Sequence, residues 1–166
     1  MVVSLIGIMA AVALPVLKDV TGNIKLAEAS RLVERELQSA RLKAVSANRL
    51  LRVRSNCPAA GYIRTVEVVD PATDSDANRC NPTTYPFPAS DQNIITRPNF
   101  DGPVRTLPTG ATVTSAIIEF APDGTARKVV AGVATAIDAP VTITVSRDGK
   151  SRSVTINGAG KVQYAQ

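Results

Sequence analysis

The stretch LAEASRLVERELQSARLKAVSANRLLRV, residues 26–53, changes its rule of spacing partway along. Leu26, Ser30, Val33, Leu37, Ala40, Ala44, Ala47 and Leu51 recur at steps of three and four, which places them on one face of a helix. Glu28, Arg31, Arg35, Glu36, Lys43 and Arg49 take the remaining faces. No Pro or Gly interrupts between Lys25 and Arg54, and the small side chains of Ala40, Ala44 and Ala47 let another layer approach closely. From Leu51, in LRVR, apolar and charged residues alternate with the period of a strand. An amphipathic helix that gives way directly to β-periodicity sets the fold class as α+β, with one long N-terminal helix packed on an antiparallel β-sheet.

Upstream, MVVSLIGIMAAVALPVLKDV (residues 1–20) opens with an uncharged run, Met1–Leu17, closed by Lys18 and Asp19. A secretory signal would begin with basic residues, and none precedes this run. A membrane helix needs about 20 apolar residues to cross a core of about 30 Å, so the run is slightly short. Either it sits short in a bilayer or further apolar residues belong before Met1, and the second expectation is preferred. Joined to the amphipathic part, the helix would extend far beyond the usual globular length of about 11–12 residues. Pro15 removes a backbone donor, which predicts a kink or a local opening, and Gly22 is a second weak point. The expected organisation is a hydrophobic membrane or filament-core helix over residues 1–25 and a globular headgroup over 26–166. The headgroup divides into the amphipathic helix 26–51 and a β-rich part, 52–166.

Downstream, YIRTVEVVD (62–70), IIEFA (117–121), VTITVSR (141–147), SVTIN (153–157) and KVQYA (161–165) read as short strands. Asp-Gly or Asn-Gly pairs in APDGTA, SRDGKS and NGAG suit tight hairpins, so the C-terminal half reads as an antiparallel meander. Residues 70–108, rich in Pro, Asn, Asp and Thr, read as mostly loop with one or two irregular strands. Aromatic residues are scarce, three Phe and three Tyr with no Trp, so the core must rest on Val, Ile, Leu and Ala.

The net charge of +5 is carried by residues 1–54, which hold nine Lys or Arg against four acidic residues, while the rest of the chain balances. The excess lies just beyond the apolar run, where it can meet lipid headgroups or a partner's carboxylates as readily as nucleic-acid phosphates. Cys57 and Cys80 form an even pair at the base of the polar loop, which fits a disulfide in an oxidising compartment, with two free thiols as the alternative. With no His and no third Cys, a zinc site is a poor reading, and the commonest general base is absent. Asp70, Asp74 and Asp76 cluster in the loop but lack the glycine and distal glutamate of a calcium-binding loop. No phosphate-binding glycine loop is present. The chain reads as a non-enzyme without catalytic residues, cofactor, metal or small-molecule substrate.

The N-terminal run resembles the interior of the type IV pilin-like segment, an apolar helix with a glycine and a later proline, here matched by Gly7 and Pro15. In such proteins a short basic leader is removed and the mature chain starts with an aromatic residue followed by a glutamate. Neither stands before Met1, so the match begins partway through the pattern. LVERELQSARLKAVSANRLLRV (32–53) resembles the late-helix signature of the GspH/FimT-like minor pseudopilins, with Ala40, Arg41 and Ala44 at its recognisable positions. IIEFAPDGTA and the closing VTINGAGKVQ resemble that branch's strand, turn and final hairpin.

The resemblance implies a pilin-like fold and a structural subunit of a type IV pilus or type II secretion pseudopilus. It would be seated in the bacterial inner membrane as a single pass with a periplasmic headgroup, then packed against other pilins or pseudopilins. Val3, Leu5, Ile6, Gly7, Ile8, Ala11, Leu14 and Pro15 are the membrane and filament-core candidates. Some FimT-like members resemble receptors for double-stranded DNA in natural transformation, which makes Arg147, Lys150, Arg152 and Lys161 candidate DNA-binding residues. A static membrane-anchored envelope binding protein is the third reading.

Overall fold

The computed structural model describes residues 2–68, 77–83, 87 and 101–165, with backbone alone for 2–18, 77, 78 and 165. Among the described residues a single α-helix, α1 (Val2–Ala47), is followed by ten strands. These are β1 (Leu51–Ser55), β2 (Tyr62–Glu67), β3 (Arg105–Thr106), β4 (Thr112–Val113), β5 (Ile117–Phe120), β6 (Ala126–Val130), β7 (Val133–Ala136), β8 (Val141–Arg147), β9 (Lys150–Ile156) and β10 (Val162–Ala165). A short 3-10 turn, Ala77–Cys80, stands between β2 and β3.

The helix runs through Pro15 and Gly22 without a break, so the expected opening is not seen; hydrogen bonds on either side of one missing donor carry the helix across it. It also ends earlier than the spacing suggests, at Ala47 rather than about Leu51. Asn48 adopts a positive φ of 52° and the Arg49 N–H donates to the Ala44 carbonyl at 3.0 Å, an end that Asn tolerates better than most residues. Leu51 therefore belongs to β1, where it is fully buried.

Leu26, Ala29, Ser30, Val33, Leu37, Ala40 and Ala44 form the buried stripe of α1. Ser30 keeps its buried hydroxyl satisfied by donating to the Leu26 carbonyl one turn back, at 2.8 Å. Against this stripe lie antiparallel sheets, as the expected fold class requires, two of them, in the orders β3-β2-β1-β5-β6-β7 and β10-β9-β8-β4. Leu51, Val53, Ile63, Ile118 and Phe120 of the first share one core with Val113, Ile143, Val145, Val154 and Ile156 of the second. The C-terminal half is thus two meanders, β5-β6-β7 and β8-β9-β10. Between them falls Asp138-Ala139-Pro140, and proline cannot donate to a continuing ladder.

Three strands, β4, β6 and β7, escaped the sequence pattern, while β3 is an irregular strand of the kind expected within residues 70–108. β3 and β4 have two residues each, too short to show a period, and β6 and β7 place exposed and buried residues without clean alternation. The turns behave as read: Asp148 and Gly149 both take positive φ (50° and 74°) between β8 and β9.

Candidate functional site

Ala40 and Ala44 are buried, and their small side chains let two turns approach the late part of α1. Between them Arg41 reaches out, its Nε donating to the Gly124 carbonyl at 3.0 Å and Nη2 to the Ala159 carbonyl at 3.1 Å. Gly124 sits in the β5–β6 turn of the six-stranded sheet and Ala159 in the β9–β10 turn of the four-stranded one. One guanidinium thereby fastens both sheets to the helix. The approach is so close that a Cβ on Gly160 would stand 2.1 Å from the Gly124 carbonyl oxygen and 2.8 Å from Arg41 Nε, and Gly160 holds a φ of 73°. The Ala40-Arg41-Ala44 pattern and the two glycine turns are one device, and its chemistry is that of a clasp.

The outer face of the six-stranded sheet carries a second cluster that the sequence pattern did not reveal. Strand register sets Arg52, Arg64 and Glu119 opposite the core-facing residues, yet all three are buried. Arg52 Nε donates to Glu119 at 2.8 Å. Arg64, with no exposed surface, donates from Nε to the Gly102 carbonyl at 3.0 Å and from Nη1 to the Arg79 carbonyl at 3.2 Å. Arg79 in turn donates to the Glu67 carbonyl and, at 2.9 Å, to Asp101, whose same oxygen accepts the Glu67 N–H at 2.9 Å. Burial pushes the Asp101 carboxyl above the ordinary range, a shift that the Glu67 N–H, Arg79 and Arg64 oppose. Burial lowers the Arg64 guanidinium, helped by the like charge of Arg79. A disulfide joins Cys57 to Cys80 and so pins the turn that carries Arg79. The only sequence signal was an arginine adjacent to a cysteine.

Of the four candidate DNA-binding residues, Arg147 and Lys150 are register partners at the β8–β9 turn and Arg152 lies two residues further along β9, but each has a partner within the protein. Arg147 donates to Asp148 at 3.0 Å and to the Thr109 carbonyl. Lys150 donates to Asn23 of α1 at 3.1 Å and stands 4.0 Å from Asp19. Arg152 bonds the Tyr164 hydroxyl and lies over its ring, 5.7 Å from the centroid. Lys161 is exposed but precedes Val162, the partner of Ile156, at the opposite end of β9, about 20 Å from Lys150 at the usual strand rise.

Val3, Leu5, Ile6, Gly7, Ile8, Ala11, Leu14 and Pro15 lie on the helical backbone of α1, and their side chains are outside the described residues. Among the described residues no helix is long and apolar enough to cross a membrane, and no group of three His, Cys, Asp or Glu could hold a metal ion. Asp70, Asp74 and Asp76 lie outside the described residues.

Among solved structures, the chain is similar to the type IV minor pilin FimU of Pseudomonas aeruginosa, at 17% identity over 88% of this chain and 92% of that one, with a TM-score of 0.49. It is similar also to the minor pseudopilin EpsH from the type 2 secretion system of Vibrio cholerae, at 11% identity over 85% and 96%, with a TM-score of 0.49. Among curated proteins none matches. The model of the family described as type II transport protein GspH matches residues 29–160, a span that holds the buried stripe from Ala29 onward, the Arg41 clasp and strands β1 to β9, and the chain belongs to that family.

Proposed function

We propose that the protein is a non-enzymatic minor pilin or pseudopilin, a structural subunit held in the inner membrane by its N-terminal helix and drawn from there into a type IV pilus or type II secretion pseudopilus. The observation that carries this reading is the reach of α1. Leu26 is the first buried residue among the α1 side chains that are described, and α1 begins at Val2, so about 36 Å of helix precedes Leu26. That part is apolar as far as Leu17, and beyond it Val20 and Ile24 remain exposed. Apolar helices leaving lipid stay out of water only by packing on one another, so one segment serves as anchor and as filament core. The double-stranded DNA reading has less support, because three of its four basic residues are engaged within the protein and the fourth stands apart.

Charge within the apolar segment tests the proposal. Ile8→Asp and Ala11→Asp should prevent recovery of the subunit in sheared filaments or in cross-linked complexes with other pilins, while the Cys57–Cys80 disulfide still forms. Normal incorporation would overturn the reading. Loss of filament recovery with unchanged membrane fractionation of the parent protein would not distinguish a static anchor, so the parent must itself be recovered in the filament fraction; its absence there also overturns the reading.

A further inference from the structure

Four strands border the two sheets, and three of them are poor templates for pairing with another chain. β3 has two residues, one of them Arg105, bonded to Glu36 of α1, and β4 also has two. β10 packs against α1, with Val162 and Tyr164 partly buried on the core. β7 differs. It ends the six-stranded sheet, and it lies within VVAGVATAI (129–137), which contains neither a charge nor a proline. Folded proteins usually blunt such an edge.

The pairing pattern shows which groups the edge offers. Ala131 and Gly132, both with positive φ (50° and 83°), make a two-residue turn between Val130 and Val133. The flanking pair of such a hairpin exchanges its hydrogen bonds, and pairs then alternate. Val133 and Thr135 therefore bond inward to β6, while the N–H and C=O groups of Ala134 and Ala136 point outward from the sheet. Val130 and Val133, side by side at 61% and 63% exposed, extend the strip with apolar surface.

Charge indicates what fits there. Lys128 lies across from Thr135, and Arg127 across from Ala136, and both basic residues are exposed. The residues between them and an incoming strand are small, and two strand spacings amount to about 10 Å, which a basic and an acidic side chain can bridge from opposite sides. A second copy of this chain would bring Arg127 and Lys128 towards their own equivalents, so it is disfavoured. From this geometry we infer that β7 is a docking edge for an extended segment of another protein, added as a seventh strand, with acidic residues opposite Thr135 and Ala136 and small or β-branched residues against Val130 and Val133. This binding is separate from the helix-mediated assembly proposed above, and neither requires the other.

The test uses the full chain in mild detergent and two fluorescent nine-residue peptides of alternating valine and threonine, one carrying an adjacent pair of glutamates at its centre, so that one faces each side of the sheet, and one carrying a pair of lysines there. The glutamate peptide should bind saturably and at least tenfold more tightly than the lysine peptide, and should slow amide exchange at Ala134 and Ala136. Ala136→Pro removes an outward donor without touching a bond to β6, and should abolish binding. Lys128→Glu, at an exposed position, should reduce the preference for the glutamate peptide at least fivefold, and it decides the matter should circular dichroism show that Ala136→Pro is unfolded. Absence of saturable binding, equal binding of the two peptides, or unchanged binding in folded Ala136→Pro would overturn the inference. So would a peptide-free dimer that Ala136→Pro dissolves, because the edge would then belong to a second copy.

Discussion

Arg41 donates to two carbonyls that belong to different sheets, so its removal should cost more than an exposed arginine usually does. Hydrogen bonds from charged groups contribute about 1.5–3 kcal/mol each, less where solvent competes, as it does at this half-buried site. Arg41→Ala should destabilise the protein by about 2 kcal/mol, read as a fall of roughly 4–8 °C in the thermal midpoint. Gly160→Ala should do at least as much harm, because its Cβ would meet a backbone carbonyl that cannot rotate away.

Asp101 makes a pH prediction at the same scale. Its folded-state value lies above the ordinary 3.8, so between those two values the folded protein holds a proton that the unfolded chain has released. The stabilising contribution of the neutral carboxyl is complete below 3.8 and is lost as pH rises through the raised value. Urea unfolding across that window should show this decline, and Asp101→Asn, facing the same Arg64, Arg79 and Glu67, should flatten it. Ala40 and Ala44 stood out in the sequence through helical spacing, and Arg41 through the resemblance to the GspH/FimT-like late-helix signature. Arg64, Arg79 and Asp101 did not, because they meet across 15 and 22 residues of chain and no local period links them.

At the level of elements, the long helix and the strands β1, β2, β5, β8, β9 and β10 were legible from residue periods and turn signals. The split into two sheets was not. It depends on where the chain leaves one ladder for another, at residues 107–111, 114–116 and 137–140, and a break in the local pattern at such a site does not say which sheet the next strand joins. The 3-10 turn Ala77–Cys80 was equally hidden, since its position is set by the disulfide and by Arg79 rather than by its own propensity. Replacing both Cys57 and Cys80 with serine frees a loop spanning 23 residues and should cost about 3 kcal/mol. Amide exchange should then accelerate around Gly102 and β2 before it does in the four-stranded sheet, because Arg64 and Arg79 lose their anchor together. Equal acceleration in both sheets would mean that the turn contributes no local order.

For the whole molecule, Leu26 is the first buried residue among the described side chains, and Lys150 of the headgroup reaches back to Asn23 and Asp19 of the helix before it. These are exposed contacts of small worth, in the range of about 0–1 kcal/mol. A fragment of residues 26–166 should therefore unfold cooperatively within a few degrees of the full chain, as followed by circular dichroism. A fragment that fails to fold would show that the projecting helix takes part in the headgroup's stability and is not merely carried by it.

The clasp at Arg41 has a mechanical meaning as well. Traction applied at the start of α1 travels along a stiff rod to a point near its far end, where one side chain grips both sheets. The load is then divided between two ladders at once instead of unzipping one strand after another. Under a pulling force the headgroup should yield in a single high-force event, and with Arg41 replaced by alanine the same pull should peel the sheets away one at a time.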